Sequence, residues 1–296
     1  MMPNFIDLKD LNKDQLIDLI SLSLEWKNNN CVKFMKDKNV VLIFEKPSLR
    51  TRISFEVGIK QLGGNSYLLN EKEMQLGERE TVEDTARVLD RYADMVIIRC
   101  FGHDQLIKYA KISDVPVINA LTDFSHPCQV VADLITIKEQ LKDIENKKIT
   151  WFGDCNNVLQ SWIEASGLLN FELNIACPEG ITPNAKTMSW ALERNNKIFI
   201  THNPQEAAEG ANCVITDTWR SMGDKSPFPE DQFIPFQVNK KIMELADKNA
   251  IFMHCLPAYR NKEVSSDVLE GSQSVVFDEA ENRLHAQKAI MHFCVK

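Results

Sequence analysis

Ser48, Arg50, Thr51 and Arg52 crowd into the stretch Pro47-Ser-Leu-Arg-Thr-Arg52, directly behind the apolar run Asn39-Val-Val-Leu-Ile-Phe44. If a helix begins near Ser48, its free N–H groups, the positive end of its dipole, two hydroxyls and a forked guanidinium together suit a phosphate. A capping Ser48, with both arginines paired to surface acids, accounts for the same letters equally well. Ser125-His-Pro-Cys-Gln129 offers different groups. His126 can donate to a carbonyl oxygen and Gln129 has both a donor and an acceptor, so together they could grip a carbamoyl or amide group. As an isolated His-Pro pair they read instead as a pre-helical turn. Arg99 ends the apolar run Met95-Val-Ile-Ile98, where a charge needs a partner, either a carboxylate or a ligand anion.

Three more stretches carry usable groups. In Asp217-Thr-Trp-Arg-Ser-Met-Gly223 the aspartate could hold an ammonium, while Ser221 and Met222 could close over an aliphatic chain. The loop continues through Lys225-Ser-Pro-Phe-Pro229, which suits a lid; an ordinary loop with Trp219 on the core is the competing account. His254-Cys255-Leu-Pro257 sets a thiol beside an imidazole, as in an activated nucleophile, but no third orienting group is visible. Zinc is conceivable there in principle. Neither H-E-x-x-H nor a paired C-x-x-C supports it, so no metal site is expected. Asp278-Glu-Ala-Glu-Asn-Arg283 places acids where a helix start favours them and leaves Arg283 to face a carboxylate or a ligand.

These residues need a scaffold, and the chain spells one. Short β-branched runs are expected as strands at Val40–Phe44, Ser66–Leu69, Met95–Cys100, Val115–Asn119, Ile149–Phe152, Glu172–Cys177, Lys197–Thr201, Cys213–Asp217, Ala250–His254 and Val275–Phe277. Helical periodicity alternates with them, from Asp14–Glu25 through Ser54–Leu62, Val82–Tyr92 and Gln129–Leu141 to Glu281–Phe293. Leu62-Gly63-Gly64 carries a helix stop, and Thr81-Val-Glu-Asp84 resembles a capping box with Asp in the usual Glu position. The expected fold is α/β, with two doubly wound domains, each a mostly parallel sheet flanked by helices, joined by interdomain helices. The division is expected at residues 1–136 and 137–280, with the last helix, 281–296, packing back on the first domain. Ligand groups in such sheets collect at the carboxyl ends of the strands. Arg99, His126, Asn156 with Asn157, Asp217 and Cys255 all fall there, and together they amount to a site.

The bulk composition excludes several classes. A formal charge of −8 gives no general basic face for nucleic acid or a membrane surface, although a small anion needs only local cations. Eight scattered cysteines without a C-x-x-C pair imply reduced thiols in a cytosolic protein. The beginning, MMPNFIDLKDLNKDQL, lacks an apolar stretch of signal length, and the longest apolar runs are strand-sized. Neither G-x-G-x-x-G nor G-x-x-x-x-G-K-[ST] is present, so dinucleotide and ATP chemistry lack their usual phosphate loops.

In order, and over essentially the whole chain, PSLRTR, IIRC, HPCQ, DTWRSMG, HCLPA and DEAENR resemble the ornithine carbamoyltransferases, of the aspartate/ornithine carbamoyltransferase family. The aspartate enzymes share the S-T-R-T-R and H-P-x-Q elements. They carry H-P-L-P where this chain has His254-Cys-Leu-Pro257, and they lack the S-M-G loop. The resemblance implies a carbamoyl-phosphate domain followed by an ornithine domain, in a homotrimer or trimer of trimers with active sites between subunits. Ser48, Leu49, Arg50 and Thr51 would cradle the phosphate, and Gln75 would reach into a neighbour's site. Arg99 would contact phosphate and carbonyl oxygen, His126 the carbonyl, and Gln129 the carbamoyl nitrogen. Asn157, Asp217, Ser221 and Met222 would hold ornithine. Cys255 and Leu256 would lie between the substrates, and Arg283 would complete the anion site. The catalytic set implied is Arg99, His126 and Cys255. No metal or organic cofactor is implied, and the partners are carbamoyl phosphate and L-ornithine, with no nucleic acid and no membrane, in the cytoplasm. One departure stands out: the family usually has Thr where this chain has Leu49. The alternatives are a sibling enzyme acting on N-acyl-ornithine or putrescine, or a non-catalytic homologue. The latter would be expected to lose Arg50, Arg99, His126 or Cys255, and all four are present.

Overall fold

Strands and helices alternate along the chain in the order foretold by the β-branched runs. The structure, a computed structural model, describes residues 3–29, 31–70, 80–220 and 228–296. The chain divides into two compact units, residues 1–132 with 281–296, and residues 133–280.

The first unit holds a four-stranded parallel sheet in the order β2-β1-β3-β4, formed by β1 (Asn39–Phe44), β2 (Asn65–Asn70), β3 (Met95–Arg99) and β4 (Val117–Leu121). Its helices include α1 (Lys13–Asn28), α2 (Leu49–Gln61), α3 (Val82–Leu89) and α4 (His103–Ile112), while α5 (Pro127–Leu141) runs on across the division. β1 and β3 are apolar on both faces because helices cover both, and their side chains are buried almost throughout. β1 pairs β2 on one side and β3 on the other, so the strand order reverses at β1 and β3, where a crevice forms at the carboxyl ends. Register sets Phe44 opposite Arg99, which brings the Pro47–Arg52 stretch beside the arginine. A bulge between Ile98 and Arg99 shifts the β3–β4 pairing from Ile98↔Asn119 to Arg99↔Leu121.

α2 begins at Leu49, directly after the Ser48 cap and five residues before the Ser54 that periodicity marks. The Ser48 side chain accepts from Thr51 N–H at 3.2 Å and caps the helix. At its other end Gly63, at φ +92°, donates to Lys60 O, and Gly64 donates to Ile59 O, the paired bonds of a left-handed glycine stop. At α3 the Thr81 oxygen accepts from Asp84 N–H at 3.1 Å. The shorter Asp84 side chain takes the Thr81 hydroxyl proton at 2.8 Å, where a Glu would reach back to the backbone.

The second unit has a five-stranded parallel sheet in the order β7-β6-β5-β8-β9. Its strands are β5 (Lys148–Phe152), β6 (Glu172–Ala176), β7 (Ile198–Thr201), β8 (Cys213–Thr216) and β9 (Ile251–Met253). The helices are α6 (Asn157–Leu169), α7 (Ala185–Leu192), α8 (Pro204–Ala208), α9 (Lys240–Leu245) and α10 (Ser266–Leu269), followed by α11 (Val276–Val295), which enters the first unit at Glu281. Phe152, Val214 and Phe252, on three neighbouring strands, share one core with Ile242 and Val268 from the covering helices.

One expected strand is not there. Val275–Phe277 is not a strand: Phe252 and Ser274 form a single bridge, Val275 N–H donates to Phe252 O, and the chain turns helical at Val276. Asp278 and Glu279 in the first turn favour that helix start over a further strand rung. Val115 also falls outside β4, since Pro116 has no N–H for the ladder and pairing begins at Val117.

Candidate functional site

Two groups of side chains, one in each unit, gather at strand ends. In the first unit the centre is the Thr51 hydroxyl, fully buried in the first turn of α2. Arg99 Nη1 donates to it at 3.4 Å and Arg283 Nη2 at 2.6 Å. Two guanidinium groups thus converge at the positive end of a helix, an arrangement that suits an anion. Arg283 is 3% exposed, brought in by α11 from the far end of the sequence. His126 caps the start of α5: its carbonyl accepts from Gln129 N–H at 3.1 Å, and both side chains are buried. Burial first, then the charges of Arg283 and Arg99, hold the imidazole of His126 well below its ordinary pKa. It is therefore neutral, a donor through one nitrogen rather than a third cation.

Sequence reading left two accounts of Pro47–Arg52 open, and the structure divides them by residue. Ser48 does cap, and Arg52 pairs with Glu56 one turn on, at 3.0 Å. Leu49 is 74% exposed. Thr51 is drawn into the arginine cluster. A cleft of about 500 Å³ opens at the start of α2 and the carboxyl ends of β1 and β2, lined by Lys46, Ser48, Leu49, Arg52, Leu68 and Asn70 among others and not by the arginine cluster.

Lys46 was missed in the sequence. It is 5% exposed, lies 4.1 Å over the Phe101 ring and is ion-paired with Asp123. Glu45 beside it accepts from Phe101 N–H at 3.1 Å, tying the end of β1 to the end of β3. The argument applied to Arg99, a charge directly behind a buried strand, would have found both.

In the second unit Asp217 follows β8, 8% exposed. Its two oxygens are each engaged: Asn156 Nδ2 donates to Oδ2 at 2.7 Å and Cys255 Sγ to Oδ1 at 3.2 Å. Asn156 is also the N-cap of α6, its Oδ1 accepting from Val158 and Leu159 N–H, and Asn157 is the first helical residue. Gly153 makes the turn out of β5 at φ +116°, a conformation that side chains rarely adopt, within contact of Trp219. Trp219 stacks on Phe233 with centroids 5.9 Å apart, so this loop packs on the core while Asp217 faces the cluster. Ser221 and Met222, with the rest of residues 221–227, lie outside the described residues, as does Gln75.

His254 does not activate Cys255. Its Nδ1 accepts from Leu256 N–H at 2.9 Å, which leaves the proton on Nε2, 3.2 Å from Glu263 Oε1. Glu263 also accepts from Tyr259 N–H, and Glu279 accepts from His254 N–H at 2.9 Å. These bonds hold Leu256 at φ +57°, a conformation that a leucine seldom adopts. Burial, then the charges of Asp217 and Glu279, push the Cys255 thiol well above its usual pKa. The expectation of an imidazole-activated nucleophile is therefore corrected: Cys255 is a protonated donor to Asp217. Asp217, His254 and Cys255 bring three potential metal ligands within 4.8 Å, yet the Asp217 oxygens and His254 Nδ1 already accept other protons.

Residues 3–139 match the model of the carbamoyl-phosphate-binding domain of aspartate/ornithine carbamoyltransferases, and residues 145–294 that of the aspartate/ornithine-binding domain. A protein of Rhodopseudomonas palustris named ornithine carbamoyltransferase is 48% identical, covering 100% of this chain and 97% of its own length. Among solved structures, the anabolic ornithine carbamoyltransferase of Campylobacter jejuni has a TM-score of 0.95 at 38% identity, covering 99% of both chains. The ornithine carbamoyltransferase of Pyrococcus furiosus has a TM-score of 0.94 at 40% identity, covering 98% of this chain and 96% of that one.

Proposed function

This chain belongs to the aspartate/ornithine carbamoyltransferase family, and we infer that it moves the carbamoyl group of carbamoyl phosphate to the δ-amine of L-ornithine, giving L-citrulline and phosphate. The observation that carries the reading is the convergence of Arg99 and Arg283 on the Thr51 hydroxyl beside a neutral, buried His126. Such a cluster holds an acyl phosphate by its phosphate and still has an uncharged donor for the carbonyl oxygen.

The chemistry follows from the residue types. The neutral δ-amine attacks the carbamoyl carbon, charge develops on its oxygen, and phosphate leaves. Arg99, Thr51 and His126 supply donors to that oxygen, with Gln129 on the carbamoyl nitrogen. Ser48, Leu49 through its backbone N–H, Arg50 and the start of α2 take the phosphate, completed by Arg283. Removing one such donor costs roughly a hundred- to a thousand-fold in rate. Asp217, with Asn157, Ser221 and Met222, holds the amino-acid end of ornithine, and Leu256 lies against the substrates. Because the Cys255 thiol keeps its proton it is not the base; the departing phosphate can take the proton of the attacking amine, and Cys255 serves by orienting Asp217. Arginine biosynthesis is the setting this supports, and the biosynthetic relative from Campylobacter jejuni agrees with it.

Residues 1–136 would act as the carbamoyl-phosphate domain and 137–280 as the ornithine domain. A homotrimer or trimer of trimers is the assembly we propose. Leu49, Ile53 and Val57 recur every fourth residue along α2 and are all exposed, an apolar stripe suited to a second copy. The eight cysteines are free thiols, as a cytoplasmic location requires. No described helix is long and apolar enough to cross a membrane.

The test is citrulline formation from carbamoyl phosphate by purified protein, with L-ornithine, L-aspartate, N-acetyl-ornithine and putrescine compared and Arg99→Ala as control. Turnover confined to ornithine and lost in the variant is expected. Preference for another amine would assign the chain to a sibling activity.

A further inference from the structure

The turn that delivers His126 is held by a closed ring of hydrogen bonds whose other members come from distant parts of the sequence. Asp7, buried in the N-terminal segment, accepts from Ser125 Oγ at 2.5 Å on Oδ1 and lies 3.2 Å from His103 Nε2 on Oδ2. His103, the first residue of α4, sets its Nδ1 2.9 Å from Thr122 Oγ1. That same hydroxyl oxygen accepts from the N–H groups of Phe124 at 3.3 Å and Ser125 at 3.2 Å. Asn119 Nδ2 donates to Ser125 Oγ at 2.9 Å, closing the inner side.

The proton positions follow from the partners. The Asp7 carboxylate takes the His103 Nε2 proton, so Nδ1 is left to accept the Thr122 hydroxyl proton, and each donor in the ring finds an acceptor. Burial opposes ionisation of Asp7, but bonds from His103 and Ser125, with the charge of Lys9, outweigh it and hold the carboxyl below its ordinary pKa. The Phe124 ring covers His103 with centroids 4.7 Å apart. Ser125 is the residue before His126, so the ring fixes the backbone from which the imidazole projects.

We propose that Asp7 and His103 are positioning residues for carbamoyl transfer, which act through Ser125 and Thr122 to aim His126 at the carbonyl oxygen. The proposal rests on the role of His126 given above. A donor displaced by about an ångström loses on the order of a hundredfold in rate, so a loosened turn should be read in turnover rather than in substrate binding.

The experiment measures citrulline formation by Asp7→Asn, Ser125→Ala and His126→Ala, singly and with each of the first two combined with His126→Ala, at a temperature well below every Tm. His126→Ala alone tests the role of His126; wild-type turnover there would overturn that role and the proposal with it. With that loss in hand, Asp7→Asn and Ser125→Ala are each expected to lower kcat about tenfold or more, leave the ornithine KM within about twofold, and cost nothing further on the His126→Ala background. Unchanged kcat per folded protein with only a lower Tm would overturn the positioning role while leaving His126 intact. So would losses of equal size with and without His126. Should Asp7→Asn not fold, Ser125→Ala, which removes a single hydroxyl, is judged by the same criteria.

Discussion

Cys255 donates a hydrogen bond to Asp217 Oδ1 across 3.2 Å, and after burial the charge of that carboxylate is what most keeps the thiol from ionising. The two residues are 38 apart in sequence and meet because β8 and β9 are neighbours in register, Ile215 opposite Met253.

Alkylation reads this pairing directly. At pH 8.5 the Cys255 peptide should react with iodoacetamide several-fold more slowly than a free cysteine, since only the thiolate is nucleophilic. Asp217→Asn removes a negative charge, lowers the thiol pKa and should speed the reaction. An unchanged rate in the variant would show that burial alone sets the thiol.

His126 gives a stability signature with a defined sign. Its folded pKa is depressed, so above pH 6.5 both folded and unfolded forms are neutral and the group contributes no pH dependence. As pH falls below 6.5 the unfolded chain takes up a proton that the folded one refuses, and stability declines by up to about 1.4 kcal/mol per pH unit. His126→Gln should therefore lose less Tm than the wild type between pH 6.5 and 5. Parallel pH profiles would refute a neutral His126.

Leu49→Thr restores a hydroxyl at the first turn of α2. A hydrogen bond to a charged group is worth about 1.5–3 kcal/mol when buried. At a position this exposed the gain should be smaller, with the carbamoyl phosphate KM falling by about tenfold at most. A KM that stays or rises would show that the backbone N–H already suffices.

Gly58 separates space from propensity. A Cβ there would meet Lys288 Cγ and Met291 Cε at 3.4 Å, ordinary contact, so Gly58→Ala should fold as well or gain about 0.5–1 kcal/mol from helix propensity. Gly58→Leu has no room and should cost about 1–3 kcal/mol in chemical denaturation. It should also raise the carbamoyl phosphate KM, because it pushes α11 and Arg283 away from Thr51. Equal stability of the two variants would mean that α11 yields freely.

Much of this was written in local pattern. The β-branched runs place β1, β3, β5 and β8, and with them the strand ends that carry Arg99 and Asp217, because a strand buried on both faces needs a continuous apolar run. The α2 cap and its glycine stop are equally local. What escaped is set by contacts distant in sequence. α4 buries only Leu106, Tyr109 and Ala110, too narrow a stripe to mark a helix on its own. Val275–Phe277 has strand letters, but its neighbour β9 is short and the acids after it start a helix. His254 beside Cys255 looks like a dyad in one dimension, yet its real partner is Glu263, nine residues on. Asp7 and Ser125, 118 residues apart, have no signal at all until the fold joins them.

Arg283 reaches Thr51 from 232 positions away, on a stretch of α11 that belongs to the first unit although it follows the second in sequence. The first 132 residues therefore contain all four strands of the first sheet, the Ser48 cap and Arg99, yet hold only one of the two guanidinium groups on Thr51. The anion site is completed only after the whole second unit has been written, so a chain truncated before Arg283 carries every strand of the first sheet and only half of the cation pair on Thr51.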